Sequence, residues 1–340
     1  MAVSGLAHSE AGSSSYRAPS WLPGAHLQTI WSALLAPGPS PALRRERLIS
    51  PDQDFIDIDY GPAAQTSDSP LWVLFHGLEG SSRSHYARAI LDRAFRLGWL
   101  GAVVHFRGCS GELNLRPRAY HSGDSEEIDW ILRRLHEAHP GRPLFATGVS
   151  LGGNALLKWL GERGDNASFV RAAAAICPPQ DLEAGALSLS RGVNRGYCEY
   201  FLRSLRPKTL AMLEQWPGLV DAERVRRSRT FYDFDDAVTA PLHGFSSCFD
   251  YWKRSSCKPF LSGIRVPTLV INARNDPFVP KRVLASAAEV SDRVELEYPE
   301  HGGHVGFPDR NLPGAFRWVP ARVSAFLATH LQPSRQGSST

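Results

Sequence analysis

The chain has 340 residues, of which 43% are hydrophobic and 21% charged, with a net charge of +4. That suits one large α/β domain or two small ones and excludes a fibrous or strongly charged disordered chain. Basic residues are scattered, and the densest run, Arg224 to Arg229 (RVRRSR), follows Asp221 and Glu223, so it reads as a solvated helix face rather than a nucleic-acid patch.

Residues 1–18 show no basic stretch followed by an apolar one, so they read as a disordered lead-in and not a signal peptide. No window approaches the roughly 18 uninterrupted apolar residues of a membrane span. The five cysteines are odd in number and form no C-x-x-C pair, which argues against a disulfide framework or a zinc site and favours a reducing compartment. The expectation is a cytoplasmic protein with no metal, cofactor, nucleic-acid partner, integral membrane association or obligate protein partner.

Short apolar runs cut off by turn residues follow in order: Leu71 to Phe75, Ala102 to Phe106, Leu144 to Thr147, Ala172 to Cys177, Thr268 to Asn272 and Val294 to Tyr298. Such runs suit buried parallel strands. Between them lie segments of helical spacing, Tyr86 to Leu97, Ser125 to Glu137 and Asn154 to Glu162. The alternation predicts an α/β fold, a mostly parallel sheet with helices on both faces, and ligands at the carboxyl ends of its strands. The rhythm breaks from about Asp181 to Ser262, a helix-like insertion rich in aromatics. It reads equally as a helical layer packing on the sheet or as a lid walling an apolar pocket. The polar tail 332–340 is expected to fray.

After the third run, Gly148-Val149-Ser150-Leu151-Gly152 matches G-x-S-x-G. Between a strand and a helix this is a nucleophile elbow, in which small neighbours let the serine occupy a strained turn with its Oγ above the sheet. Gly153 extends the small stretch and Asn154 is expected to begin the helix. A serine hydroxyl needs a base, and the base an orienting acid. On such a sheet the partners follow in the order serine, acid, histidine. Asp276 follows the strand TLVIN, and HGGHVGF follows the last strand with two histidines, of which His304 is preferred and His301 is read as a turn residue. The Leu151 amide supplies one oxyanion donor, and the loop after the first run, FHGLEG, supplies the other at Leu78. His76 reads as an organiser of that loop.

Taken with those residues, PSWLPGAHLQTIW (19–31), FHGLEGSSRSHYAR (75–88), HFRGCSGELN (105–114), YHSGDSEEI (120–128), TGVSLGGNALLKWLGE (147–162) and FYDFDDAVTAPLHGF (231–245) resemble the YheT-like family of α/β-hydrolases. The resemblance runs from about Pro19 to about Leu331 and implies one α/β-hydrolase domain over 19–331, with an inserted helical cap at about 181–262. It implies a charge relay falling on Ser150, Asp276 and His304, and hydrolysis of esters with a hydrophobic acyl part. Eukaryotic relatives include membrane-attached lipid hydrolases; this sequence looks more like the soluble bacterial members. RGCSG (107–111) reads as a tight turn whose arginine pairs with an acid, with Cys109 an unneeded nucleophile. Asp124 reads as the N-cap of the following helix, with a backup acid as the lesser alternative. Two rival functions stand beside ester hydrolysis: an acyltransferase or thioesterase using the same residues, and a non-catalytic binding protein on the same scaffold.

Overall fold

Alternation along one strand explains how the sheet is covered. In β3 (Leu71–Phe75), Leu71, Val73 and Phe75 enter one core cluster while Trp72 and Leu74 enter another on the opposite face. Helices Ser125–Ala138 and Leu151–Arg163 cover the first face, and His85–Arg96 and Trp318–Ala328 cover the second. The computed structural model describes residues 16–62 and 65–331. Residues 1–15 of the expected lead-in, and the expected tail 332–340, lie outside them.

The sheet has eight strands in the order β1-β2-β4-β3-β5-β6-β7-β8. The remaining strands are β1 (Arg44–Ile49), β2 (Phe55–Tyr60), β4 (Leu100–Val104), β5 (Leu144–Val149), β6 (Val170–Ile176), β7 (Thr268–Ile271) and β8 (Val294–Glu297). From β4 to β8 every pairing is parallel. The six expected runs are all strands; Leu71–Phe75 matches at both ends and no end of the others moves by more than two residues, as when Ala102 to Phe106 becomes Leu100–Val104.

The antiparallel edge, β1 and β2, was not among the expected strands. RRERLI and FIDIDY carry charges where a buried strand should be apolar. Each buried acid of β2 sits opposite an arginine of β1: Arg47 grips Asp57 through two bonds of 2.7 and 2.8 Å, and Arg45 grips Asp59 at 2.8 and 2.9 Å. Fork-to-carboxylate pairing offsets the desolvation that would otherwise forbid the strand.

The segment after β6 carries helices Leu182–Leu189, Arg195–Gln215, Ala222–Arg227 and Cys248–Ser255. Its own core includes Leu182, Leu202, Phe231, Phe234, Tyr251 and Trp252, joined by Phe278 and Val279 from the loop after β7. Cys257 and Leu261, placed in the insertion by the sequence reading, pack instead in the main core beside the sheet. Asp221 caps the Ala222–Arg227 helix, and Arg226 and Arg227 on it are exposed, as a solvated face requires.

Candidate functional site

The elbow forms because its glycines leave no room for anything larger. Ser150 sits at φ 51°, ψ −118°, a left-handed backbone that costs a non-glycine residue about 1–3 kcal/mol. A Cβ on Gly152 would lie 2.5 Å from the carbonyl oxygens of Phe75 and His76, and one on Gly148 would strike the Gly152 carbonyl. The β3 end, the serine and the helix therefore pack backbone to backbone. The helix starts at Leu151, not at Asn154 as expected: the small residues 152–153 fold into its first turn. Asn154, fully buried, instead ties that turn to Ser122, Ser255 and Cys257.

Asp276 and His304 meet Ser150 here. His304 Nδ1 lies 2.8 Å from Asp276 Oδ2, and Nε2 lies 2.9 Å from Ser150 Oγ. An ionised carboxylate only accepts, so Nδ1 carries the proton and Nε2 is left to accept from the hydroxyl. The other carboxylate oxygen accepts from the Phe278 and Val279 amides, and the Asp276 side chain is wholly buried. The Phe278 ring stacks on the imidazole with centroids 4.1 Å apart. His301 is exposed.

What holds the histidine loop was not foreseen. The Thr29 hydroxyl accepts from the His304 amide at 2.9 Å, and Gln28 Oε1 accepts from the amide of Gly302 at 2.9 Å and the side chain of Asn275 at 3.2 Å. Asn275 in turn accepts from the Gly303 amide, and Ser32 donates to the Gly306 carbonyl. Gln28 and Thr29 belong to the short helix Ala25–Ile30, so the block 19–31 that carried part of the resemblance is the brace of the loop. Its signal in the sequence was only the block itself. Tyr16, assigned to the lead-in, packs on Phe307 and Trp318 and donates to the Pro308 carbonyl, at the far end of the same loop.

Cys177, in the left-handed region at φ 49°, lies below the loop, where its sulfur accepts from the Val305 amide. Its Sγ lies with a carboxylate oxygen of Asp276 and a ring nitrogen of His304 within 4.8 Å. The trio does not suit a metal ion. Two ligands of a tetrahedral ion stand more than about 3 Å apart, whereas Nδ1 and Oδ2 are in hydrogen-bond contact. Burial, and next the charge of Asp276, hold the thiol protonated far above its ordinary range.

Leu151 occupies the first position of its helix, where an amide has no intrahelical acceptor. On the facing loop the amides of Gly77, Glu79 and Gly80 are taken by Tyr86, Tyr120 and the Gly77 carbonyl. Among the described residues nothing accepts from the Leu78 amide. His76 organises this loop: Nδ1–H donates to the Gly77 carbonyl and Nε2 accepts from the Phe106 amide. Full burial pushes its pKa down to about 3, so it stays neutral. Leu78 and Leu151 both line a cavity of about 150 Å³ with an apolar side, Leu205, Met212, Phe231, Phe234 and Val238, and a charged side that includes Glu79, Arg107, Arg118 and Lys208. The aromatic segment thus both packs its own core and walls the cavity.

The remaining blocks border the cavity through Arg107, Gly108, Tyr120, His121 and Ser122 and are held by ion pairs and a helix cap. Arg107 pairs with Glu127 at 2.6 Å and Asp54 at 2.8 Å. Asp124 caps its helix through the Glu127 amide and pairs with Arg118, away from the imidazole. Cys109 is a half-buried thiol raised to about 12, by desolvation first and by Glu79 second. All five cysteines are free. No helix among the described residues is long and apolar enough to cross a membrane.

The model of the alpha/beta hydrolase fold matches residues 70–310. The chain is 38% identical to YheT of Escherichia coli (strain K12), which carries an esterase name, over 90% of this chain and 91% of that one. It is 31% identical to the medium-chain fatty acid ethyl ester synthase/esterase 2 of Saccharomyces cerevisiae, over 76% of this chain and 62% of that protein. Among solved structures, the esterase Pf2001 of Pyrococcus furiosus superposes with a TM-score of 0.54 at 16% identity, over 86% of this chain and 94% of that one, a likeness of fold.

Proposed function

The chain belongs to the α/β-hydrolase family, to its YheT-like members, and from that premise we propose that it is a serine hydrolase of carboxylic esters acting through Ser150, His304 and Asp276. The observation that carries the reading is the unbroken hydrogen-bond path from the Ser150 hydroxyl through the imidazole to a buried carboxylate. Ester hydrolysis itself accords with the relatives' names.

As Ser150 Oγ attacks the ester carbonyl, its proton passes to His304 Nε2, and Asp276 holds the imidazole in the tautomer able to take it. The Leu78 and Leu151 amides face the oxyanion; one such donor is worth roughly 3–4 kcal/mol of transition-state stabilisation. The imidazolium then protonates the leaving alcohol, and water, deprotonated by the same nitrogen, releases the acid from the acyl-enzyme. The apolar side of the cavity, Leu205, Met212, Phe231, Phe234 and Val238, supports a hydrophobic acyl group. The work lies with the three side chains and two amides, and neither a metal nor a cofactor enters the scheme.

A second reading, transfer of the acyl group to an alcohol, uses the same acyl-enzyme and is favoured by the synthase/esterase name of the yeast relative. Product analysis with added ethanol separates the two: ethyl ester in place of free acid marks transfer. For the shared chemistry, Ser150→Ala is expected to abolish hydrolysis of short p-nitrophenyl esters while leaving the circular dichroism spectrum unchanged. Undiminished turnover by that variant removes the reading.

A further inference from the structure

Glu79 follows the proposed oxyanion donor Leu78 and is a non-glycine residue at φ 54°. A left-handed backbone persists where the surroundings over-determine it, and here one hydroxyl does so twice: Tyr120 Oη accepts from the Glu79 amide at 2.9 Å and donates to Glu79 Oε1 at 2.8 Å. The other carboxylate oxygen meets Lys208 Nζ at 2.7 Å. The Glu79 side chain is 7% exposed and that of Lys208 34%, so a largely desolvated carboxylate is paired with a half-buried lysine. Lys208 comes from the helix Arg195–Gln215 of the aromatic segment, whereas Glu79 and Tyr120 belong to the sheet's loops. Glu79, Lys208 and Leu78 all line the cavity.

From this we infer that Glu79 and Lys208 form a latch that couples the seating of the cap helix to the aim of the Leu78 amide. The inference rests on the proposed hydrolase reading and deepens it: the two are positioning residues, acting through the backbone between residues 77 and 80. With the latch closed the left-handed turn is fixed and the amide faces the cavity. With Lys208 gone, the carboxylate turns toward water and the turn relaxes. Charge on Lys208 is what matters, so arginine can stand in for it and methionine cannot.

The test compares Lys208→Met, Lys208→Arg, Glu79→Gln and the double variant Glu79→Gln/Lys208→Met on a short p-nitrophenyl ester, with hydrogen–deuterium exchange of residues 77–80 measured alongside. The latch predicts that Lys208→Met lowers kcat about tenfold, a partial loss of one oxyanion donor, with KM within twofold and exchange in the loop increased. Lys208→Arg recovers most of the loss, and the double variant is no slower than the slower single one. Unchanged kcat and exchange in Lys208→Met, a change confined to KM, or additive losses in the double variant overturn the latch. If Lys208→Met does not fold, Tyr120→Phe, which removes both bonds to Glu79, is read by the same measures and with the same outcomes. Wild-type protein that turns over no ester, while Lys208→Met still loosens the loop, removes the hydrolase reading and leaves the latch standing.

Discussion

The serine and the histidine reach the same point by opposite means. Ser150 is fixed from within, by a strained turn between adjoining elements whose glycines let backbone touch backbone. His304 is fixed from far away, by side chains of residues 28, 29 and 32, nearly the whole chain length distant. A local, backbone-built support is rigid and tolerates almost no change. A remote, side-chain-built support can be loosened one hydrogen bond at a time.

The largest expected effect tests the rigid side. Gly152→Ala puts a methyl against two carbonyl oxygens, and it is expected to destabilise the fold by roughly 3 kcal/mol or more, seen as a large drop in Tm. A Tm within a degree or two of wild type shows that the elbow can yield, and the contrast fails. Next comes the remote side. Gln28→Ala strands the Gly302 amide in a buried site, which costs about 1–3 kcal/mol. The loosened histidine loop is expected to lower kcat about tenfold with little change in KM. Thr29→Val removes two bonds, the one accepted from the His304 amide and the one donated to the Ala25 carbonyl, and is expected to cost about 1 kcal/mol and a several-fold fall in kcat. Equal losses of stability and no loss of kcat in these two variants would show the N-terminal helix to be mere packing.

A further test concerns pH. Burial depresses the pKa values of His76 to about 3 and His85 to about 4; His85 donates to the Val305 carbonyl of the histidine loop. Folded, these rings hold no extra proton. Unfolded, each takes one up below about pH 6.5. Acid therefore favours the unfolded chain, and this part of the stability is complete above pH 6.5 and drains away between pH 6.5 and about 3. Tm is expected to fall steadily across that window, and His85→Gln, which keeps a donor for Val305, to flatten the slope. A Tm independent of pH from 6.5 to 4 contradicts the neutral buried imidazoles.

The same contrast explains what could be read before the structure. The elbow was legible because its cause is local: five consecutive residues between a strand and a helix. Asp276 and His304 were legible from their order after apolar runs. The brace was not, because nothing in HLQTI says that its glutamine and threonine will meet HGGHV across the fold. The edge strands escaped for a related reason: Asp57 and Asp59 look exposed until Arg47 and Arg45 are set opposite them by strand register. Asn154 was misread as a helix start because two glycines suggest a loop, and only the close approach of Phe75 and His76 shows why a helix there needs them.

The central claim is that the imidazole of residue 304 activates the hydroxyl of residue 150, and reaction with a fluorophosphonate followed by peptide mass analysis tests it most directly. The account predicts a single modified peptide containing Ser150, no modification in Ser150→Ala, and labelling slowed by at least about a hundredfold in His304→Ala. Labelling at wild-type speed in the histidine variant, or none in the native protein, would contradict it.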